Sequence, residues 1–293
     1  MTLDLRALIL GLSFVIFWSS AFTSATIIVQ YAPPFVALAL RFAISGGVAL
    51  AIGYALGQRL SLDRSTLRAV VAFGILQNVI YLGFNFVAMQ SIEASVAVII
   101  ASTLPMLVAL ASWLFFSERL HPIAAFGLVL GLVGVVLIML PRVQAGIDPI
   151  GVLLCFVGVL ALTGATLLVR GASSSGNVLM VVGLQMLVGG LGLFVLSLWF
   201  ETWEVTFTWQ LLAAFAYTTI FPGLVATVIW FQLIARVGAT RAATFHFLNP
   251  FIGVTIAAIV LGEVLVLRDI IGVLIIMAGI YAVQSARAPK AAP

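Results

Sequence analysis

Residues 94–140 read ASVAVIIASTLPMLVALASWLFFSERLHPIAAFGLVLGLVGVVLIML, and residues 239–285 read ATRAATFHFLNPFIGVTIAAIVLGEVLVLRDIIGVLIIMAGIYAVQS. At a constant offset of 145 they match at Ala94 and Ala239, Ala97 and Ala242, Pro105 and Pro250, and Glu118 and Glu263. Leu120, Gly127 and Gly134 likewise fall on Leu265, Gly272 and Gly279. A proline within an apolar helix and a glutamate at its end are residues that apolar composition alone seldom aligns. With small gaps the match extends backwards, pairing Leu40, Gly46 and Gly47 with Leu184, Gly189 and Gly190, and Ala72-Phe73 with Ala214-Phe215. The chain is an internal repeat, with halves at 1–146 and 147–293.

The surroundings of the repeat are hydrocarbon. Hydrophobic residues make up 64% of the 293 and charged residues 8%, with 13 basic and 9 acidic side chains, and the mean hydropathy is +1.30. A soluble protein carries roughly a quarter charged residues. The composition therefore excludes a soluble enzyme, a disordered chain and a nucleic-acid binder, and indicates an all-α membrane protein. Cys155, the single cysteine, leaves no intrachain disulfide and no thiolate metal cluster.

A membrane helix needs about 20 apolar residues. Charges, prolines and glycines cut the sequence into ten such segments, at 7–29, 34–56, 67–89, 94–116, 121–140, 149–170, 178–199, 209–234, 239–261 and 268–286. Asp4 and Arg6 precede a first apolar stretch longer than a signal-peptide core, so it is expected to be a retained span. Ten spans put both termini on one side. With that side cytoplasmic, ten basic residues lie inside, from Arg6 to Lys290, and only Arg142 and Arg268 lie outside. The expected location is the inner cell membrane, multi-pass, with cytoplasmic termini. Because the repeat unit is five spans, an odd number, its second copy is inverted in the bilayer. Inverted repeats are a recurrent plan of transporters that open alternately to either side of a midplane site.

Two five-span halves, each with a proline in its fourth helix and a glutamate thirteen residues later, resemble the EamA-type exporters of the drug/metabolite transporter superfamily. Phe17-Trp18-Ser19-Ser20-Ala21-Phe22 and Leu40-Arg41-Phe42 resemble signatures of that family. The resemblance covers essentially the whole chain and is closest to the amino-acid exporters of the YddG type. It implies ten helices in two inverted five-helix repeats around a central cavity, and export of aromatic and other amino acids from the cytoplasm. A multidrug or hydrophobic-cation exporter of the same fold stays open, as do a passive channel and an intramembrane enzyme. No enzyme motif is present: His-Glu-x-x-His, Gly-x-Ser-x-Gly and paired membrane aspartates are all missing.

Polar side chains in hydrocarbon either pair or face water, so they mark candidate positions. In the third span Asn78, Tyr81 and Asn85 fall at i, i+3 and i+7, one face of an α-helix. The ninth span carries His246, Asn249 and Pro250, and the fourth repeats the geometry with Ala101, Ser102 and Pro105. Trp18 lies mid-span amid hydroxyls, where an indole can stack on a ring or cover a cation. Thr163 and Tyr217 extend the substrate-binding set, which is then Trp18, Asn78, Tyr81, Asn85, Ser102, Thr163, Tyr217, His246 and Asn249. Pro105, Pro222 and Pro250 are candidate hinges, since each removes a backbone hydrogen bond. Arg41, roughly 10 Å along the second span at 1.5 Å per residue, is a candidate gate or attractor of a substrate carboxylate.

Glu118 and Glu263 sit at span ends on opposite faces, which suits structural roles: capping the following helix or bonding a local arginine such as Arg119 or Arg268. No metal or cofactor is expected. The partners expected are a small-molecule substrate and the lipid bilayer, with protons open through His246, and no nucleic acid. Glycine faces in the fifth and tenth spans allow close helix approach within a monomer, a dimer staying open.

Overall fold

The computed structural model describes residues 5–59, 64–116, 121–168, 177–237, 242 and 245–287. Within them all regular structure is helical. Helix α1 is Leu5–Val29, α2 Pro34–Ala55, α5 Pro122–Gln144, α6 Pro149–Leu168, α7 Val178–Phe200 and α10 Leu267–Arg287. Four helices are composite. Helix α3 joins Arg64–Phe73, a π-wound Gly74–Leu82 and Gly83–Ala88, while α8 joins Trp209–Thr218, a π-wound Thr219–Val225 and Ala226–Val237. Helix α4 joins Ala94–Ala101 to Leu104–Phe116, and α9 joins a 3-10 turn, Phe245–Leu248, to Asn249–Leu261. Nine of the described helices are long and apolar enough to cross a membrane, and Phe245–Leu261 is a shorter apolar one.

The irregularities repeat with the sequence. The π-wound segments begin at Gly74 and Thr219, the restarted helices at Leu104 and Asn249, and the last helices at Pro122 and Leu267, each pair 145 residues apart. Gly74 therefore corresponds to Thr219, and the gapped match of Ala72-Phe73 to Ala214-Phe215 is three residues out of step. The prolines explain the breaks. Pro105 and Pro250 cannot donate to the preceding turn, so each stands in the first turn of a restarted helix and not midway along a continuous one, as their place in the spans predicts. At the break in α4, Thr103 N donates to Ile100 O at 3.1 Å, a three-residue closure in place of the α-helical four.

The chain forms two compact units that do not coincide with the two repeats. One unit takes residues 24–91 and 150–224, and its frame is the pair α2 and α7. A Cβ placed on Gly46 would stand 2.9 Å from Gly183 O, and one on Gly183 would stand 2.9 Å from Gly46 O. Gly190 approaches Ala39 O in the same way, at 3.3 Å. Rising numbers on α2 meet falling numbers on α7, so these repeat-related helices are antiparallel. Their ends cap each other. Phe35 N and Val36 N donate to the two carboxylate oxygens of Glu201 at 2.7 and 3.0 Å. Leu179 N and Met180 N, 144 residues on, donate to Gln58 Oε1 at 3.0 and 3.4 Å. These amides are the orphan donors that every helix start leaves.

The other unit takes residues 1–23, 92–149 and 225–293, framed by α5 and α10. Gly127 meets Gly279 O at 2.7 Å, and Gly134 meets Gly272 O at 2.8 Å, each measured from a Cβ placed on the first glycine. This pair is antiparallel too, and the small-residue faces are used within the chain. Each unit thus contains two equivalent helices running in opposite directions, which is the inversion that the odd repeat predicts. At the α5 end, Arg142 makes a bidentate pair with buried Asp269, at 2.9 and 3.2 Å, and reaches Glu93 at 3.5 Å. Large apolar side chains such as Phe126, Val129 and Leu132 face outward, as lipid contact requires.

One sequence expectation changes here. Glu263 caps neither the following helix nor a local arginine. It accepts from Ala94 N and Ser95 N, at 2.7 and 3.1 Å, and so caps α4. A carboxylate can reach any free helix start that packing brings near it, and the nearest in sequence has no priority. Glu118 lies outside the described residues, as does Arg119.

Candidate functional site

The unit framed by α5 and α10 gathers Trp18, His246 and Asn249. Phe14 and Trp18 are four apart on α1, hence on one face, with ring centroids 5.7 Å apart. Gly11, a turn earlier, has no Cβ and leaves room for Phe245, which packs on it. That contact brings the 3-10 turn of α9 against α1. His246 then stands edge-on among three rings: Trp230 at 5.1 Å, Phe14 at 5.2 Å and Trp18 at 6.2 Å. Phe14 and Trp230 stack at 4.6 Å.

Side chains at i and i+3 eclipse on a 3-10 turn, and His246 and Asn249 have that spacing. Asn249 Nδ2 lies 2.9 Å from His246 Nδ1. With the amide donating, Nδ1 is an acceptor and the imidazole proton sits on Nε2. Asn249 O accepts from Ser19 Oγ at 3.3 Å, tying α9 to α1. Asn249 Oδ1 is buried with no hydrogen-bond partner, an acceptor in want of a donor. Trp18 and His246 are half-buried, so the cluster offers an aromatic wall, an imidazole and an amide oxygen. Such a set can take an aromatic ring by stacking and an ammonium by hydrogen bonding and by π faces.

Phe14 is the member that sequence reading passed over. Its signal was the four-residue spacing to Trp18 on a serine-bearing face. Trp230, a further candidate that the sequence offers on the eighth span, joins the cluster from far along the chain. Ser102 is buried in the same unit at the break in α4, its hydroxyl donating to Val98 O at 2.7 Å.

The unit framed by α2 and α7 holds Asn78, Tyr81, Asn85, Thr163, Tyr217 and Arg41. Here the single polar face expected on the third span divides. Gly74–Leu82 is π-wound, with more residues per turn than the α-helix that the spacing assumes. Asn78 Nδ2 donates to Gln185 O on α7 at 2.9 Å, with Gly189 packed against its side chain. Asn85 Nδ2 donates to Tyr81 O at 2.7 Å, and its Oδ1 accepts from Cys155 Sγ on α6 at 3.4 Å. Both amides are spent on helix contacts, and Tyr81 is buried beside them. Thr163 donates to Val159 O at 2.8 Å, and Tyr217 stacks on Phe221 at 5.1 Å. Pro222 is buried inside the π-wound part of α8. Among the described residues no three His, Cys, Asp or Glu side chains converge to hold a metal ion.

A profile described as the EamA-like transporter family matches residues 5–140 and 149–284, one match per repeat. The uncharacterized transporter YvbV of Bacillus subtilis is 24% identical over 280 residues, covering 95% of this chain and 92% of its own. An uncharacterized transporter of Archaeoglobus fulgidus is 27% identical over 279 residues, covering 93% and 96%. The aromatic amino acid exporter YddG of Ancylobacter novellus is 33% identical over 133 residues, covering 45% of this chain and 46% of its own. A crystal structure among those that match shares the fold with a TM-score of 0.69 and 23% identity, covering 94% of this chain and 95% of its own.

Proposed function

This chain belongs to the EamA-like transporter family and is a multi-pass membrane protein, and from that premise we propose that it exports amino acids, aromatic ones among them. The observation that carries the proposal is the cluster of Trp18, Trp230, Phe14 and His246 beside the unpartnered oxygen of Asn249. Rings match an aromatic side chain, and a buried acceptor matches an ammonium. The partial likeness to an aromatic amino acid exporter supports the same reading.

Export proceeds by alternating access, the two inverted repeats exchanging roles as the protein opens to either side. The protein sits in the inner membrane with cytoplasmic termini, the orientation that puts ten basic residues inside. It works as a monomer without a cofactor or an enzymatic step. Support for the monomer is that the glycine faces of α5, α10, α2 and α7 are occupied within the chain.

A second reading is a hydrophobic-cation exporter, favoured by the same rings, since indole faces also attract a bare cation. Purified protein in liposomes separates the two. L-phenylalanine and L-tryptophan should move at rates above those of protein-free vesicles, and Trp18→Ala should slow them at equal protein content. Movement of lipophilic cations without amino acids would favour the second reading, and movement of neither class would overturn both. Running each arm with and without a pH gradient reports whether protons are coupled.

A further inference from the structure

Helix α2 carries a cation that its surroundings do not neutralise. Arg41 is 6% exposed, and its Nε is enclosed with no hydrogen-bond partner. Among the described residues no carboxylate pairs with Arg41. What does touch it is apolar or small. Its guanidinium carbon lies 5.4 Å from the ring centroid of Phe42. A Cβ placed on Gly223 would stand 3.7 Å from Arg41 Nη2 and 3.3 Å from Ser45 Oγ. Ser45, a turn further along α2, donates weakly to Thr219 O at 3.5 Å.

Three features together indicate a ligand. First, a buried guanidinium with no counter-charge is a costly arrangement, and it persists in proteins where an anion completes it. Second, the planar fork of Arg fits a carboxylate through two parallel hydrogen bonds, which a lysine cannot reproduce. Third, what borders Nη2 is the backbone of Gly223, in the π-wound part of α8 just after Pro222, with Thr218 O and Ser45 Oγ each 3.3 Å from the position its Cβ would take, so polar atoms and no residue-223 side chain stand by the fork. We infer that Arg41 receives the carboxylate of the transported molecule, with Ser45 as a neighbouring hydroxyl and Gly223 presenting no side chain against the fork. The inference rests on the amino-acid reading above and deepens it: the substrate class is one bearing a free monocarboxylate.

Three probes with a common ring test it: L-phenylalanine, phenethylamine, which lacks the carboxylate, and 3-phenylpropanoate, which lacks the ammonium. Binding to the purified full-length protein in detergent is followed by titration calorimetry, for wild type, Arg41→Gln and Arg41→Lys. Wild type should bind L-phenylalanine about tenfold or more tighter than phenethylamine, as expected for a charge-assisted pair. Arg41→Gln should abolish that preference by weakening the two carboxylates while leaving phenethylamine unchanged. Arg41→Lys should retain part of it. Should Arg41→Gln fail to fold, the wild-type preference and the selective weakening in Arg41→Lys decide the matter. Equal binding of L-phenylalanine and phenethylamine by wild type overturns the inference, as does unchanged carboxylate affinity in Arg41→Gln. Its fate is separable from that of the export reading. Amino-acid flux with an indifferent Arg41 sinks only the carboxylate site, whereas Arg41-dependent binding of 3-phenylpropanoate without amino-acid flux sinks only the export of amino acids.

Discussion

Gly127 of α5 and Gly279 of α10 meet backbone to backbone, a Cβ on either standing 2.7 Å from the other's carbonyl oxygen. Swapping each glycine for its repeat equivalent turns this contact into that of Gly272 and Gly134, which the structure also contains at 2.8 Å. The contact pattern maps onto itself only if equivalent helices run in opposite directions. Hydrocarbon supplies no hydrophobic drive for helices to associate, so close packing of small residues does it.

Gly127→Ala should accordingly destabilise by about 1–3 kcal/mol, the range for forcing atoms into a filled contact. Gly279→Ala should cost a similar amount, and the double variant less than the sum, because the two share one contact. Thermal unfolding in detergent measures all three, and an unchanged midpoint for either single variant would contradict the geometry.

Arg142 and Asp269 should behave as a unit. Asp269 is 2% exposed, and its Oδ2 also accepts from Val266 N at 3.3 Å. Arg142→Ala leaves that carboxylate buried and unpaired, at a cost of about 3 kcal/mol or more. Asp269→Asn, which keeps an acceptor for Val266, should cost less. A double-mutant cycle on unfolding midpoints checks the coupling, and additive effects would refute it.

Glu201 gives a pH signature. Burial raises its carboxyl pKa, with the amides of Phe35 and Val36 pulling the other way. A carboxyl whose folded pKa exceeds its unfolded value stabilises fully below the unfolded value, and that share is lost as pH rises through the folded one. Glu201→Gln should flatten this fall in the unfolding midpoint between mildly acidic and neutral pH. Removing the cap altogether, by Glu201→Ala, should cost about 1 kcal/mol, and a like loss is expected for Gln58→Ala at the other end of the pair.

The aromatic cluster and the α3 amides should separate by readout. His246→Ala and Trp18→Ala should lower amino-acid flux about tenfold at normal stability, as loss of ring contacts worth 1–2 kcal/mol implies. Asn85→Ala and Asn78→Ala should instead lower stability by about 1 kcal/mol and leave flux per folded molecule unchanged. Initial-rate transport and unfolding midpoints on the same preparations distinguish the two groups. Normal flux in both Trp18→Ala and His246→Ala would remove the cluster from the pathway.

The polar stripe on α3 shows where reading a sequence stops. Spacing of three and seven puts Asn78, Tyr81 and Asn85 on one face only if every turn is α-helical, and a π-wound stretch spoils that premise. Nothing local announces the stretch, and its twin, which begins 145 residues later at Thr219, is likewise seen only in the structure. Glu263 teaches the same lesson, since its place at a helix end follows from sequence while its partners, Ala94 and Ser95, do not.

Sequence alone determined the lipid setting, the number of apolar segments, the repeat and its inversion, because these follow from composition, length and parity. Tertiary structure alone decided which helix starts are capped by Glu201, Gln58 and Glu263, which rings surround His246, and that Arg41 is enclosed without a counter-charge. The physical reason is range. Hydropathy and parity are sums along the chain, whereas a hydrogen bond or a ring contact depends on a few ångströms between residues as far apart as Ser19 and Asn249, set by how glycine faces let the helices pack.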